Sequence, residues 1–298
     1  MHMPLIDRRK LLTATALLPL ALTSLPTLGK TASPSEGDVQ RKLEALEQRH
    51  GGRLGVALMN AATGEVASLR GDERFLFNST IKVPIVAAVL ARVERGEESL
   101  DRRIEVSQSD LGGWTPITEK RIGSPGMTIA ELGQAAVAWS DNAAANLLIE
   151  SVGGPESVTA FLRDIGDDTT RLDRMEPALN EHDHEGDERD TTTPLAMMQT
   201  LRTLLLGEAL SPSMRHQLAS WMIEGKTGDA RLRAGMPAGW LIGEKTGTNS
   251  VGNANDIGIA WSADRGAVIA VAYAWLPQAS KAQRDQVIAE IGRLAASV

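Results

Sequence analysis

Strand-like sequence occurs only towards the two ends of this chain, with a long helical stretch between. Arg53–Asn60 and residues 65–70 flank Ala61-Ala62-Thr63-Gly64 as the two arms of a hairpin, and β-type runs return only at 240–246, 256–261 and 267–275. From Ser79 to about Ser220 the apolar residues recur at helical spacing, in segments near 80–95, 128–138, 142–151, 155–165, 194–206 and 211–222. Val39, Leu43 and Leu46 predict an N-terminal helix that stops at Gly51-Gly52, and 281–297 predicts a terminal one. Isolated strands bury too little to stand alone, so the two ends must meet in one sheet. The expected fold is α/β plus all-α. An antiparallel sheet carries the N- and C-terminal helices, residues 35–75 and 226–298 form a discontinuous α/β domain, and 76–225 form an inserted helical domain with a cleft between the two.

Composition narrows the function classes. At 298 residues, 42% hydrophobic and 23% charged, the chain has ample material for a core. Its formal charge of -7 and the absence of a basic stripe with interleaved aromatics exclude nucleic acid as a partner. There is no cysteine, hence neither a disulfide nor a thiolate zinc centre, and His182-Asp183-His184-Glu185 reads as a solvated acidic loop tip rather than a metal site. Neither metal nor organic cofactor is expected. Arg8-Arg9-Lys10 precedes an apolar run over 11–28, the pattern of a removable export signal, with cleavage between Gly29 and Ser35. Pro19 and Pro26 argue against a stable membrane span. Residues 1–34 are therefore set apart from the fold, the mature product is expected outside the cytoplasm, periplasmic or secreted, and the Arg pair resembles a twin-arginine signal.

Four short motifs carry chemistry, in order along the chain. In Ser79-Thr80-Ile81-Lys82 the serine opens a helix at the positive end of its dipole, and the lysine three residues on shares its face. A buried amine beside a serine can accept its proton and make a weak alcohol nucleophilic. Pro84 should bend this helix just beyond that turn. An S-x-x-K pattern arises by chance roughly once in a chain of this length, so it decides nothing alone. Ser140-Asp141-Asn142 stands at the start of another helix, where Ser and Asn are also ordinary caps. Glu176 and Asn180, four apart in Glu176-Pro177-Ala178-Leu179-Asn180, can share a face and hold one water. Lys-Thr-Gly occurs twice, at 226–228 after a helix and at 245–247 within a strand pattern. A substrate laid along a sheet edge needs the donors and acceptors of a strand, which assigns Lys245, Thr246 and Gly247 to the site.

The ordered set resembles the class A serine β-lactamases, and the resemblance spans about 36–298. It implies hydrolysis of penicillins and cephalosporins through an ester on Ser79, with Lys82 as base and Glu176 activating the water that removes the acyl group. Ser140 would relay a proton to the lactam nitrogen, Asn142 and Asn180 would contact substrate, and the N–H groups of Ser79 and Thr248 would form the oxyanion hole. Lys245, Thr246 and Thr248 would receive the substrate carboxylate together with an arginine. The strand position that supplies it in many relatives is Ala254 here, leaving Arg231, with Arg233 as its near competitor. Trp114 takes the place of an aromatic gatepost. Arg174 and Asp190 would close the neck of an omega-type loop, with Arg189 as the other available partner. Cysteines that pair in many class A carbapenemases would fall at Asn78 and Asn249. A monomer is implied. The rival readings are a D,D-peptidase or transpeptidase, and a sensor domain that stays acylated; both lack a deacylating pair such as Glu176 and Asn180.

Overall fold

The computed structural model describes residues 36–298 except Glu185. The export signal read at 1–34 lies outside the described residues. Five antiparallel strands form the main sheet: β1 (Arg53–Asn60), β2 (Val66–Leu69), β7 (Leu241–Thr248), β8 (Asn253–Ser262) and β9 (Gly266–Trp275), in the order β2-β1-β9-β8-β7. β9 lies at the centre, pairing Leu58 with Ala270 on one side and Ile257 with Val271 on the other. Its side chains alternate. Val268, Ala270, Ala272 and Ala274 pack with Val39, Leu43 and Leu46 of α1 (Glu36–His50) and with Val287, Ile288 and Ile291 of α9 (Lys281–Ala295). Ile269, Val271 and Tyr273 face the opposite way, into the core shared with the inserted helices. Both faces are covered, so the strands read as unbroken apolar runs rather than alternating ones. β7 is an edge strand, paired only with β8 among the described residues.

The helices between the two halves of the sheet are α2 (Lys82–Glu94), α3 (Ile129–Ala138), α4 (Asn142–Val152), α5 (Pro155–Asp164), α6 (Pro194–Leu205) and α7 (Pro212–Ile223). α2 is buried on every side from Lys82 to Ala91, as expected of a helix apolar all round. Thr128, Asp141, Thr193 and Ser211 cap the helices that follow them, each accepting a backbone N–H three residues on. Pro84 lies closer to the helix start than the sequence reading places it. A 3-10 turn over Asn78–Ile81 precedes α2, and Pro84 falls in the first α turn, where a missing N–H has no intrahelical partner to lose. Short elements escaped the sequence reading: β3 (Phe75–Leu76) pairs with β6 (Thr191–Thr192), β4 (Arg103–Val106) with β5 (Gly123–Thr128), and Leu232–Gly235 forms the four-residue α8.

One buried amide ties the sheet to the turn that carries Ser79. Asn255 on β8 donates from Nδ2 to the carbonyls of Leu76 (2.8 Å) and Phe77 (3.2 Å) and to Oδ1 of Asn78 (2.9 Å), and its Oδ1 accepts the N–H of Ala274. Asn78 itself is left-handed at φ 49°, a conformation Asn tolerates better than most residues. Removing the amide strands several buried acceptors, so Asn255→Ala should lower unfolding stability by about 3 kcal/mol. Urea unfolding with an unchanged m-value would measure it. A loss below about 0.5 kcal/mol, the level of an ordinary surface change, would contradict the anchoring role.

Candidate active site

Four groups from distant parts of the sequence converge on the Lys82 amine. Its Nζ lies 3.1 Å from Ser79 Oγ, 2.9 Å from the Ser140 carbonyl, 2.7 Å from Asn142 Oδ1 and 2.9 Å from Glu176 Oε1, and its side chain is wholly buried. Ser79 Oγ also donates to Glu176 Oε1 at 3.2 Å. The 3-10 turn before α2 supplies Ser79, and the first residue of α2 is Lys82. Ser140 precedes the Asp141 cap of α4 and is left-handed at φ 61°, while Asn142 is the first residue of that helix.

Glu176 comes from the long loop between α5 and β6, and two asparagines hold it directly. Asn146, one turn beyond Asn142 on α4, donates to the Glu176 carbonyl and accepts its N–H, both at 2.9 Å. Asn180 Nδ2 reaches Glu176 Oε2 at 2.6 Å. Asn180 is held in turn by Asn78 Nδ2 at its Oδ1 and by Asn249 Nδ2 at its carbonyl. Asn78 and Asn249 thus meet through Asn180. At the neck of the loop Arg174 Nε pairs with Asp190 at 2.5 Å, and Asp190 also accepts the N–H groups of Asp173 and Arg174. Arg189 pairs instead with Asp183 and Asp187.

The opposite wall is the edge strand β7. Gly247 lets it lie directly against the Ser79 turn: a Cβ at this position would stand 2.8 Å from the Phe77 carbonyl and 3.2 Å from the Ser79 nitrogen. A cleft of about 460 Å³ opens between Ser79, Ser140, Asn142, Glu176 and Asn180 on the helical side and Thr246, Gly247 and Thr248 on the strand, with Trp114 also on its wall. Lys245 does not line this cleft. Its side chain is wholly buried on the face of β7 that packs against the helices, the same face as Gly247; its ammonium bonds to the Thr246 carbonyl at 2.9 Å, and burial, then the charge of Lys82, push it down to about 7 against the pull of Glu244, Asp256 and Glu176.

Arg231 completes the strand end of the cleft. Its guanidinium is buried, with Nε on Asp285 (2.8 Å), Nη1 on the carbonyls of Gly247 (3.0 Å) and Asn255 (2.7 Å), and Nη2 on Thr248 Oγ1 (2.8 Å). Those four acceptors leave one of its five N–H donors, on Nη2, for a ligand in the cleft. Arg233 turns away, towards Asp229 and Glu244. Burying Asp285 between Arg231 and Lys281 costs less than it would alone, and the two cations hold its carboxyl below the usual range although burial opposes them.

Comparison with known proteins points the same way. Residues 38–298 match the model of the Beta-lactamase enzyme family. The chain is 45% identical to β-lactamase Toho-1 of Escherichia coli and 47% identical to β-lactamase OXY-1 of Klebsiella oxytoca, each over 96% of both chains. An ancestral class A β-lactamase structure superposes with a TM-score of 0.83 at 55% identity, covering 86% of this chain and 98% of that one. The chain belongs to the class A β-lactamase family.

In this β-lactamase the fold brings all the motif residues named from sequence to one place, with Lys245 buried beside the cleft rather than exposed on its wall. Three further residues at the cleft or its supports were not singled out. Asn146 was findable, since four residues after Asn142 on a helix means the same face. Thr227 belongs to the first Lys-Thr-Gly copy: Lys226 is exposed, yet Thr227 lines the cleft and its hydroxyl lies 2.6 Å from that of Thr246. Lys281 lines the cleft from the start of α9, and no local pattern marks it.

The buried Lys245 gives a direct test. In ¹⁵N-lysine NMR its amine should titrate near pH 7, and Glu244→Gln should lower that midpoint because it removes one of the charges that favour the ammonium. A Lys245 that stays protonated to pH 10 would contradict the electrostatic description.

Proposed function

We propose that this β-lactamase hydrolyses penicillins and cephalosporins through an ester on Ser79, in a cleft between an α/β lobe (35–75 with 226–298) and a helical lobe (76–225). The reading rests on one observation: Ser79 Oγ is within hydrogen-bond reach of both an amine, Lys82, and a carboxylate, Glu176. Lys82 as the free amine takes the serine proton while Oγ attacks the lactam carbonyl, and the N–H groups of Ser79 and Thr248 hold the oxyanion. The ring C–N bond breaks as Ser140 passes its proton to the nitrogen and regains one from Lys82, which is left as the free amine. Glu176 then removes a proton from a water held with Asn180, the resulting hydroxide attacks the ester, and Ser79 departs with the proton returned. The 2.9 Å contact between Lys82 and Glu176 lets one proton pass between them, so each can be the base in its own step.

Substrate recognition follows from the same geometry. The Arg231 donor left free, with the hydroxyls of Thr246 and Thr248, suits the lactam carboxylate, and the buried Lys245 adds its positive charge. Asn142 offers its amide to the acylamino side chain, and Trp114 bounds the cleft. The chemistry needs neither metal nor organic cofactor. The protein acts as a monomer outside the cytoplasm after losing residues 1–34, and no helix among the described residues is long and apolar enough to cross a membrane.

The deacylating pair separates this reading from a peptidase or an acylated sensor. Glu176→Ala should still acylate through Lys82 but lose deacylation by about 10²–10⁴-fold, so a covalent adduct with the mass of the whole penicillin should accumulate on Ser79. Intact-protein mass spectrometry reads it, and the unaltered protein should show no such build-up. An unaltered protein that holds the adduct for hours would be behaving as a peptidase or sensor.

A further inference from the structure

Ser140 is held in the left-handed region, which a residue with a Cβ occupies only when its surroundings over-determine it. The loop at 113–118 provides those surroundings. Trp114 stands at the cleft with 58% of its surface exposed, yet it bonds to the backbone on both sides of Ser140. Its indole N–H donates to the Trp139 carbonyl at 2.9 Å, and its own carbonyl accepts the Asn142 N–H at 2.8 Å. Between these two bonds, Asp141 accepts the N–H groups of Ile117 (3.0 Å) and Thr118 (2.9 Å) and the Thr118 hydroxyl. Gly113 permits the approach, since a Cβ there would lie 2.7 Å from Asn142 Nδ2.

The indole bond has a specific mechanical consequence. The Trp139 carbonyl belongs to the peptide whose nitrogen is that of Ser140, so fixing this carbonyl limits rotation about the bond that sets the Ser140 φ. Ser140 directs two groups into the site: its hydroxyl, and its carbonyl, which receives Lys82 Nζ at 2.9 Å. Rotation of the peptide would displace both.

We propose that Trp114 is a positioning residue for Ser140: its indole N–H, donated to the Trp139 carbonyl, holds the left-handed serine in register for proton transfer to the departing lactam nitrogen. The proposal rests on the reading of Ser140 as the proton relay. The ring of Trp114 remains free to contact substrate, so its two effects are separable. Water can replace an exposed hydrogen bond at little cost in stability, and the effect therefore belongs in the rate of acylation rather than in the melting temperature.

Trp114→Phe keeps an aromatic ring and removes the N–H. Its single-turnover acylation rate constant with a penicillin should fall about fivefold to tenfold, roughly the worth of one hydrogen bond, with binding and Tm little changed. The loss should be smaller with a cephalosporin whose ring nitrogen is conjugated to an electron-withdrawing 3-substituent, because that less basic nitrogen needs less help from a proton donor. In a Ser140→Ala background Trp114→Phe should cost clearly less, because the share of the loss that acts through the hydroxyl is already gone. The proposal is overturned if Trp114→Phe acylates at the unaltered rate while Ser140→Ala is slow, or if its full cost persists in the Ser140→Ala background. If Ser140→Ala itself acylates normally, the relay reading fails instead.

Discussion

The site is organised around one buried amine. Taking the Lys82 ammonium out of water is costly unless every donor is satisfied, and here four acceptors surround it: a serine hydroxyl, a backbone carbonyl, an asparagine amide and a carboxylate. An ammonium has only three hydrogens, so two of the four acceptors share one. The free amine has two hydrogens and a lone pair, and Ser79 and Glu176 are the two neighbours that can carry a proton to it. The rest of the molecule maintains this arrangement. Asn255 fixes the Ser79 turn to the sheet, Asn146 and Asn180 fix Glu176, and the Asp141 cap with its ties to Ile117 and Thr118 fixes Ser140 and Asn142.

A second buried amine, Lys245, sits on the helix-facing side of β7. Lys82 and burial both disfavour the Lys245 charge, and Glu244, Asp256 and Glu176 oppose them. Asp256 in turn is raised by its own burial and by Glu244. The edge of β7 therefore presents backbone groups and hydroxyls to the cleft while a field of paired charges lies directly beneath. At the far end Asp285 holds Arg231 by its Nε, so the orientation of the guanidinium is set before any ligand arrives.

Much of this was readable from the chain because it depends on long periodic elements. The five strands and the helices α2 to α7 are patterned over eight or more residues in most cases, and their order requires a sheet with a helical insert. β3, β4 and β6 have two to four residues each, too few for any period, and exist because tertiary contacts pair them. The choice between Arg231 and Arg233 could not be made by spacing, since two residues apart on an irregular turn leaves direction open; Asp285, 54 residues further on, decides it. Thr227 was passed over for a related reason. Its tripeptide follows a helix rather than a strand, and only the folding of that loop back over β7 brings one of its three residues to the cleft. Lys245 shows the converse, a residue correctly placed on its strand whose burial depends on what packs over that face.

The claim on which the account stands is that Lys82 is the base that makes Ser79 a nucleophile. Stopped-flow acylation of Lys82→Ala by a penicillin, with mass spectrometry counting the ester on Ser79, measures it directly. The account predicts a retained fold and an acylation rate constant lower by about 10²–10⁴-fold. Acylation at the unaltered rate would contradict it and would leave Glu176, 3.2 Å from the same hydroxyl, as the base for both steps.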